Sequence, residues 1–317
     1  MLNSLLQQLA DGKIHSLQQL ALFLQKTPSQ VQEMLNALQT YGLPLQQSAD
    51  DYQWLVPTVL LERAQLWTAL SPMIRQHIQL LQVFAVIDST SRHLHAQTGD
   101  PHKIAICLAD YQTDGYGRQG KSWISPFGSG ICLSFKQRYP SVSHLIGLNL
   151  AVAVVIVRAL QQQGATGLRI KWPNDILWGG RKLAGILLES RPLPTGHCEM
   201  VLGIGLNVCL PSSLPIIDQS PVDLQTIMGH AVDRQHLAIT LIETITPLLL
   251  GYAQTGLSPL LADWQTFDLL AGQQVTLTTP QTQIQGLACG IDAQGALLLE
   301  INHQRQRYVY GDVSVRL

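Results

Sequence analysis

A glycine-rich string between two strand-like segments constrains the fold most strongly. Residues 115–122 read GYGRQGKS, which matches both the GxxxxGK[ST] pattern of P-loops and the GxGxxG pattern of dinucleotide-binding folds. Both patterns require a helix directly after the glycines, because its N-terminal amides and dipole hold the phosphate. Here WISPFGSG follows, and Pro126 lacks an amide donor while the glycines favour turns. The sequence therefore predicts a loop between the strands IAICLADYQ and ICLSF, and it excludes both nucleotide-binding folds.

The same loop still suits an anionic ligand. Backbone amides at Gly115, Gly117 and Gly120 can form an anion-binding nest, and Arg118 and Lys121 add positive charge beside it. We therefore expect a phosphate-bearing ligand here without P-loop geometry.

The order of strand and helix patterns predicts a mixed α+β protein in three parts. Residues 1–66 have helix-turn-helix spacing, in which Thr27, Pro28 and Gln30 begin a helix and SADD joins the two strands of a wing. Residues 57–82 are expected to be helical connecting material interrupted by Pro72. Strands and helices then alternate to residue 268, and the short strands that follow from Gly272 predict a small β-barrel.

Composition and cysteine spacing narrow the class of protein. Charged residues make up 13% of the chain, against about 25% in typical soluble domains, and the formal net charge is −1. This balance argues against general affinity for nucleic acid or membrane. The longest apolar run, residues 150–157, is far shorter than the roughly 20 residues of a membrane span, and the N-terminal residues lack a secretion signal. Five cysteines without CxxC spacing predict reduced thiols in a cytoplasmic protein rather than a zinc site.

A second motif, IKWPNDILWGGRKLAGILLES at residues 170–190, brings two lysines together. Gly179 and Gly180 predict a hairpin, so Lys171 and Lys182 are expected on paired or neighbouring strands. Two ammonium groups suit an anionic ligand, although ordinary solvated strand lysines explain the same spacing. Asp175 either holds a divalent metal ion through a phosphate or caps a turn.

Two further strings place polar groups at strand ends. In VIDSTSRHL, residues 86–94, Ser89 or Thr90 begins a helix, which N-capping and ligand binding explain equally well. In VLGIGLNV, residues 201–208, Gly203 and Gly205 permit close backbone approach, and Asn207 is polar in an apolar strand. No GxSxG motif or cysteine–base pairing supports a covalent enzyme intermediate. The remaining possibility is phosphoryl or adenylyl transfer. A protein promotes such a reaction by positioning the reactants and stabilising the anionic transition state.

Four motifs in this order resemble the biotin protein ligase family, in its bifunctional form with an N-terminal DNA-binding domain. They are DST, YQTDGYGRQGKSWISPFGSGICLS, KWPNDILWGGRKLAGILLE and GIGLNV. The resemblance covers nearly the whole chain and implies a winged helix-turn-helix at residues 1–66, a catalytic domain at 67–268 and an SH3-like domain at 269–317. It also implies a reaction in which biotin and ATP, accompanied by Mg²⁺, give biotinyl-5′-AMP and pyrophosphate. Biotin then passes to one lysine of the biotin carboxyl carrier domain of acetyl-CoA carboxylase.

The resemblance assigns roles to individual residues. The expected biotin-binding residues are Ser89, Thr90, Ser91, Gln112, Tyr116, Gly117, Arg118 and Lys182. Arg118, Lys182 and Lys171 are the expected catalytic cations, while Trp123 and Asn207 are expected near the adenylate. The family commonly shows GRGRxGR[KR]W, so Tyr116 stands where an arginine is usual.

Charge in the N-terminal part argues against strong DNA binding. Across residues 1–66, three Lys and Arg oppose five carboxylates, which gives a net charge of −2. Lys and Arg contacts to phosphate supply most nonspecific DNA affinity. The residues of the expected recognition helix that can read base edges are Ser29, Gln30, Gln32 and Asn36. We expect repressor function to be weakened or lost, with the domain retained for folding or for the geometry of a homodimer.

Two other functions fit parts of the pattern. A transcriptional regulator could sense biotin or its adenylate without catalysis, and a related ligase could use lipoate or octanoate. Retained Arg118 and Lys182 favour catalysis, and the DST and GxGRxG motifs favour biotin.

Overall fold

The N-terminal part of the chain combines three helices with a small antiparallel sheet. A computed structural model describes residues 2–55, 59–211, 220–279 and 281–315. The first elements are α1 (Leu2–Leu9), β1 (Ile14–Ser16), α2 (Leu17–Leu24), α3 (Pro28–Thr40), β2 (Leu45–Ser48) and β3 (Asp51–Trp54). The strand order is β1-β3-β2, and the predicted capping box of Thr27 and Gln30 begins α3. The sequence did not predict β1, which pairs with β3 where only a turn was expected.

Aromatic residues join this part to the rest of the molecule. The ring of Trp54 packs edge-on against Phe127, with ring centres 5.4 Å apart, and Tyr41 lies 5.7 Å from Tyr111. Trp54, Phe127 and Ala85 are buried in one apolar cluster with the N-terminal helices. The N-terminal part and the central part therefore share a core.

The connecting segment contains two short helices, α4 (Arg63–Ala69) and α5 (Pro72–Arg75). Pro72 begins α5 rather than interrupting a helix, because the Ser71 hydroxyl caps it and a proline needs no amide partner in the first turn. The helical prediction is wrong from Ile78 onward, where a strand begins. Residues 57 and 58, which belonged to the same prediction, lie outside the described residues.

A seven-stranded mixed sheet forms the centre of the molecule. Its elements and the helices among them are β4 (Ile78–Ile87), α6 (Thr90–Ala96), β5 (Ile104–Gln112), β6 (Gly130–Tyr139), α7 (Leu148–Gln162), β7 (Leu168–Lys171), β8 (Asp175–Trp178), β9 (Arg181–Pro192), β10 (Cys198–Asn207), α8 (Leu224–Met228), α9 (Arg234–Thr255) and α10 (Leu261–Phe267). The strand order is β4-β5-β6-β10-β9-β8-β7, and only β4 and β5 are parallel among these described strands. The predicted α+β class is confirmed.

Two helical segments are apolar enough to cross a membrane by length and composition alone. They are Val142–Gln162, which contains α7, and Arg234–Thr255, which is α9. Buried residues of both helices belong to the main apolar core with the central sheet. They pack as core helices of this fold.

The C-terminal part is β-rich, as predicted. Its strands are β11 (Gln274–Thr278), β12 (Gln283–Ile291), β13 (Leu297–Ile301), β14 (Gln304–Tyr308) and β15 (Asp312–Val315). They form an antiparallel sheet in the order β14-β13-β12-β11-β15. The indole nitrogen of Trp172 donates a hydrogen bond of 3.0 Å to the carbonyl of Gly295, which ties this part to the central sheet.

Candidate functional site

The glycine-rich string is a closed loop between β5 and β6, as predicted. The amide of Gly117 donates to the carbonyl of Lys121 at 2.7 Å, and the amide of Trp123 donates to the carbonyl of Gly115 at 2.9 Å. A single 3₁₀ turn at Arg118–Gly120 closes the tip, and no long helix follows before β6 in this fully described stretch. Because the Gly117 amide is used inside the loop, it is not free for the predicted anion nest.

A cavity of about 130 Å³ lies beneath this loop. Its walls include every residue predicted for biotin, namely Ser89, Thr90, Ser91, Gln112, Tyr116, Gly117, Arg118 and Lys182. Three elements supply them: the start of α6, the end of β5 with the loop, and β9. We name this space the first cavity.

Hydroxyl groups form a chain on the floor of the first cavity. The side-chain oxygen of Gln112 accepts hydrogen bonds from the amide of Thr90 at 2.8 Å and from its hydroxyl at 3.0 Å. The Ser134 hydroxyl lies 2.8 Å from that of Thr90 and 3.0 Å from that of Ser91. The sequence analysis missed Ser134, although a small polar residue in the apolar string ICLSF was a visible signal. Such a row of donors and acceptors suits a polar ring.

Trp123 forms a wall against two glycines. A Cβ atom at Gly205 would lie 2.2 Å from the Trp123 ring, and one at Gly185 would lie 3.3 Å from it. The Nζ atom of Lys182 is 5.7 Å from the ring centre, and the buried indole nitrogen has no hydrogen-bond partner among the described residues. The absence of side chains at Gly185 and Gly205 therefore makes room for the indole of Trp123.

A second cavity of about 550 Å³ adjoins the first. It lies between the central sheet and β15, and Lys171, Asn207 and Val313 are among its lining residues. The residues that line both cavities are Lys121, Ser122, Trp123, Asn174, Asp175, Lys182 and Asp312. Two small molecules bound side by side would thus meet beside these residues, which include Lys182.

The two predicted lysines are one strand further apart than a single hairpin would place them. The glycine turn joins β8 to β9, and both glycines have positive φ (54° and 78°) as such a turn requires. Lys182 lies on β9, whereas Lys171 lies on β7 and pairs with Asp175 of β8. Residues 172–174 form a turn of their own, which explains the extra strand. Asp175 consequently stands between the lysines.

Both lysines are partly buried and lie near carboxylates. The Nζ atom of Lys182 lies 2.9 Å from Oδ1 of Asp175, and the two groups form a partly buried ion pair. Burial lowers the pKa of the Lys171 ammonium, and the neighbouring charges of Asp175 and Asp312 partly oppose this effect. Lys171 is therefore a desolvated cation that an anionic ligand would stabilise.

The loop is also held from the C-terminal part. One guanidinium nitrogen of Arg118 donates to Oδ1 of Asp312 at 3.2 Å and to Asn174 at 3.3 Å, and the other donates to the carbonyl of Gly311 at 3.3 Å. Lys121 reaches the second oxygen of Asp312 at 3.3 Å. The sequence analysis missed Asp312, because 194 residues separate it from Arg118 and no local pattern marks the pair.

Asn207 contacts backbone rather than open space. Its side-chain nitrogen donates to the carbonyls of Val222 at 3.1 Å and Lys182 at 3.3 Å. It is 4% exposed and lines the second cavity. Its position fixes the chain beside Lys182.

The site has few candidate metal ligands. Groups of three or more His, Cys, Asp or Glu side chains that could hold a metal ion do not occur among the described residues. Asp175 and Asp312 are the carboxylates that line the second cavity. Any divalent ion here would need ligands from a bound molecule as well.

Three of the four predicted base-reading residues bond within the N-terminal part. The Gln30 side chain accepts from the amide of Thr27, and the Gln32 amide group donates to Asn36 at 2.8 Å and accepts from the Tyr52 hydroxyl at 2.6 Å. Ser29 is exposed on the same helix, α3. The Gln32 side chain thus links Asn36 of the same helix to Tyr52 of β3.

Comparisons with known proteins show which family the chain resembles. Residues 83–207 match the Biotin/lipoate A/B protein ligase family, and residues 271–316 match the Biotin protein ligase C terminal domain. The chain is 33% identical to the bifunctional ligase/repressor BirA of Salmonella typhimurium, covering 99% of this chain and 97% of the relative. It is 32% identical to BirA of Escherichia coli, with 97% and 95% covered.

A solved structure supports the same fold. Biotin protein ligase from Aquifex aeolicus, in complex with biotin and ATP, superposes with a TM-score of 0.64 at 24% identity, covering 75% of this chain and 99% of that one. Identity near one third over almost the full length of both chains establishes common descent with the BirA proteins. The chain belongs to the biotin protein ligase family.

Proposed function

We propose that this protein is an ATP-dependent biotin protein ligase. Biotin would occupy the first cavity and ATP the second. The observation that carries this proposal is that Lys182 lines both cavities at their junction, where a carboxylate and a phosphate would meet.

The proposed reaction has two steps. The carboxylate of biotin attacks the α-phosphate of ATP, and pyrophosphate leaves, which gives biotinyl-5′-AMP. Two anions must approach each other in this step, so preorganised cations lower its barrier. Arg118, Lys121, Lys171 and Lys182 supply that charge. In the second step the amine of a carrier lysine attacks the acyl carbon, and AMP leaves.

Individual roles follow from position. Ser89, Thr90, Ser91 and Gln112 would bind the polar ring of biotin through the hydroxyl chain described above. Tyr116, Gly117 and Arg118 would cover it, while Trp123 would lie beside the adenylate and Asn207 would hold the backbone of Lys182. Mg²⁺ would enter as the ATP complex, with Asp175 as the candidate carboxylate for the ion.

The proposed partner is a biotin carboxyl carrier domain, as in acetyl-CoA carboxylase, in the cytoplasm. We propose the division of the chain into residues 1–66, 67–268 and 269–317, with an SH3-like barrel as the last part.

Pyrophosphate release tests the first step. The purified protein with MgATP should release pyrophosphate only when biotin is added, and lipoate or octanoate should not replace biotin. Adding an apo carrier domain should give a band on a streptavidin blot. If pyrophosphate is released but the carrier domain is not labelled, the protein only synthesises the adenylate. If no pyrophosphate is released, the protein is not a ligase.

For the N-terminal part we propose a winged helix-turn-helix with weak or lost DNA binding. Support comes from the helix and strand order, the net charge of −2 across residues 1–66, and the internal bonds of Gln32 and Asn36. A titration of the protein with biotinyl-5′-AMP against biotin-operon promoter DNA tests this. A tight, salt-sensitive footprint would contradict it, and sedimentation of the same samples would report whether a homodimer forms.

A further inference from the structure

We propose that Glu189 is a positioning residue that holds Tyr116, and with it the glycine-rich loop, over the first cavity before any ligand binds. The proposal deepens the proposed function, because the first cavity is the proposed biotin site. Sequence motifs drew attention to Tyr116 but not to Glu189.

The contact joins the loop to a rigid strand. The Tyr116 hydroxyl donates a hydrogen bond of 2.9 Å to Oε2 of Glu189. Glu189 lies on β9, where it pairs with Val201 of β10 in an unbroken ladder. His95 of α6 reaches the same carboxylate oxygen at 3.2 Å. The acceptor is thus fixed from the strand and from the helix that begins at the cavity.

A second group restrains the ring of Tyr116. The guanidinium of Arg92 lies 5.4 Å from the ring centre, within the range of a cation–π contact. Arg92 is itself held by Asp88 at 3.0 Å and by Asp114 at 2.8 Å. An arginine at position 116 would face the like charge of Arg92, whereas a neutral aromatic ring is attracted to it. The neighbouring Arg92 therefore favours tyrosine over arginine at position 116.

The contact keeps its donor and acceptor over a wide pH range. Burial, and then the bond to Glu189, raise the pKa of the Tyr116 phenol to about 12. The bond from His95, and also that from Tyr116, lower the pKa of the Glu189 carboxyl. The bond is therefore a phenol donating to a carboxylate at neutral pH, and such charge-assisted bonds are stronger than neutral ones.

The position of the rest of the loop depends on Tyr116. Gly117 is the next residue and lines the first cavity, and an isolated β-bridge joins Tyr116 to Ser122 across the loop. The far end of the loop is held separately by the contacts of Arg118 and Lys121 with Asp312. Loss of the Glu189 bond should therefore leave the whole loop held only by these contacts with Asp312, so that it opens more often and exposes Arg118 and Lys121.

Three variants test the proposal. Tyr116→Phe removes only the hydroxyl, Glu189→Leu removes the acceptor, and Glu189→Gln keeps an acceptor oxygen. In the protein without ligand, trypsin cleavage after Arg118 or Lys121, followed by mass spectrometry, should be several-fold faster in the first two variants. In the ligase assay the KM for biotin should rise about tenfold with kcat within about twofold of wild type. Glu189→Gln should restore most of the wild-type behaviour.

Tyr308→Phe is the matched control, because it removes a surface hydroxyl bonded to Gln306 on β14. Unchanged loop cleavage and unchanged KM in Tyr116→Phe would overturn the proposal. A fall in kcat at constant KM would also overturn it, since Glu189 would then act in the chemical step. If wild type shows no biotin-dependent activity but cleavage still accelerates in the variants, the ligase function fails and the loop contact stands.

Discussion

The Nζ atom of Lys182 lies 2.9 Å from Oδ1 of Asp175, and the two side chains meet at the junction of the two cavities. In the free protein the carboxylate balances the ammonium. When a biotin carboxylate and an α-phosphate approach, the ammonium can turn toward them, and the carboxylate is left to face a cation. We therefore propose that the pair prepares the site for anions and for the metal ion expected with ATP.

Lys182→Met should lower the rate of biotin-dependent pyrophosphate release by about 100-fold or more, because one preorganised cation is lost from the transition state. Asp175→Asn should instead raise the Mg²⁺ concentration needed for half-maximal rate. Pyrophosphate release measured across a Mg²⁺ titration separates these effects. An unchanged Mg²⁺ dependence in Asp175→Asn would remove Asp175 as a candidate metal ligand.

Lys171→Met should weaken nucleotide binding and still give a folded protein that is at least as stable as wild type. Burial of the ammonium carries a desolvation cost that methionine does not. We expect the KM for ATP to rise about tenfold or more, since a charged hydrogen bond to phosphate is lost. Steady-state kinetics and thermal unfolding measure the two results, with the exposed Lys103→Met as control. A lowered midpoint of unfolding would show that Lys171 stabilises the fold instead.

Gly205→Ala should displace Trp123. The added Cβ would lie 2.2 Å from the ring, and real contacts of this kind do not occur, so the indole must move. We expect weaker binding of the adenylate and faster release of biotinyl-5′-AMP, measured by stopped-flow fluorescence. Gly251→Ala, a helical position with no atom within 4 Å of the new Cβ, is the control and should be neutral or slightly stabilising. Wild-type release rates in Gly205→Ala would show that Trp123 does not contact the adenylate.

Arg234→Met should lower the free energy of unfolding by about 3–5 kcal/mol, the usual cost of leaving one partner of a buried ion pair. Arg234 donates to Asp110 at 2.6 Å and to the carbonyls of Val59 at 2.9 Å and Gly130 at 3.1 Å. Urea unfolding measures the loss. Lys13→Met, which breaks an exposed pair with Asp11, should change the free energy of unfolding by less than about 1 kcal/mol. Equal effects of the two changes would contradict the buried ion pair.

The contribution of Glu189 to stability should disappear in acid. Hydrogen bonds lower its pKa below the ordinary value of 4.5, so between the two pKa values the unfolded chain binds more protons than the folded protein. Its stabilisation is complete above pH 4.5 and is lost as pH falls through the folded pKa. Thermal unfolding of wild type and Glu189→Leu should therefore differ at pH 7 and converge below pH 4.5. A difference that stays constant with pH would exclude this linkage.

Patterns within one stretch of chain were predicted well. The absence of a helix after Ser122, the glycine turn between β8 and β9 and the strands of the C-terminal part are all local features of spacing and residue type. The start of β4 at Ile78 was missed because apolar and polar residues alternate only weakly there. Pairing with β5 decides the conformation of these residues.

Contacts between distant segments could not be predicted. Asp312 reaches Arg118 across 194 residues, and Glu189 reaches Tyr116 across 73 residues. Each carboxylate lies on a strand whose local pattern is ordinary, so only the folded chain shows its partner. The motifs located the cavity, and the structure added the residues that hold its loop.

The packing of Trp54 against Phe127 has an evolutionary consequence. Phe127 lies four residues after Trp123 in the same segment of chain, and the N-terminal residues bury its ring. A mutation that abolished operator recognition would leave this apolar surface still in need of cover. Selection for carrier modification alone would therefore preserve the first 55 residues, long after any regulatory task had lapsed.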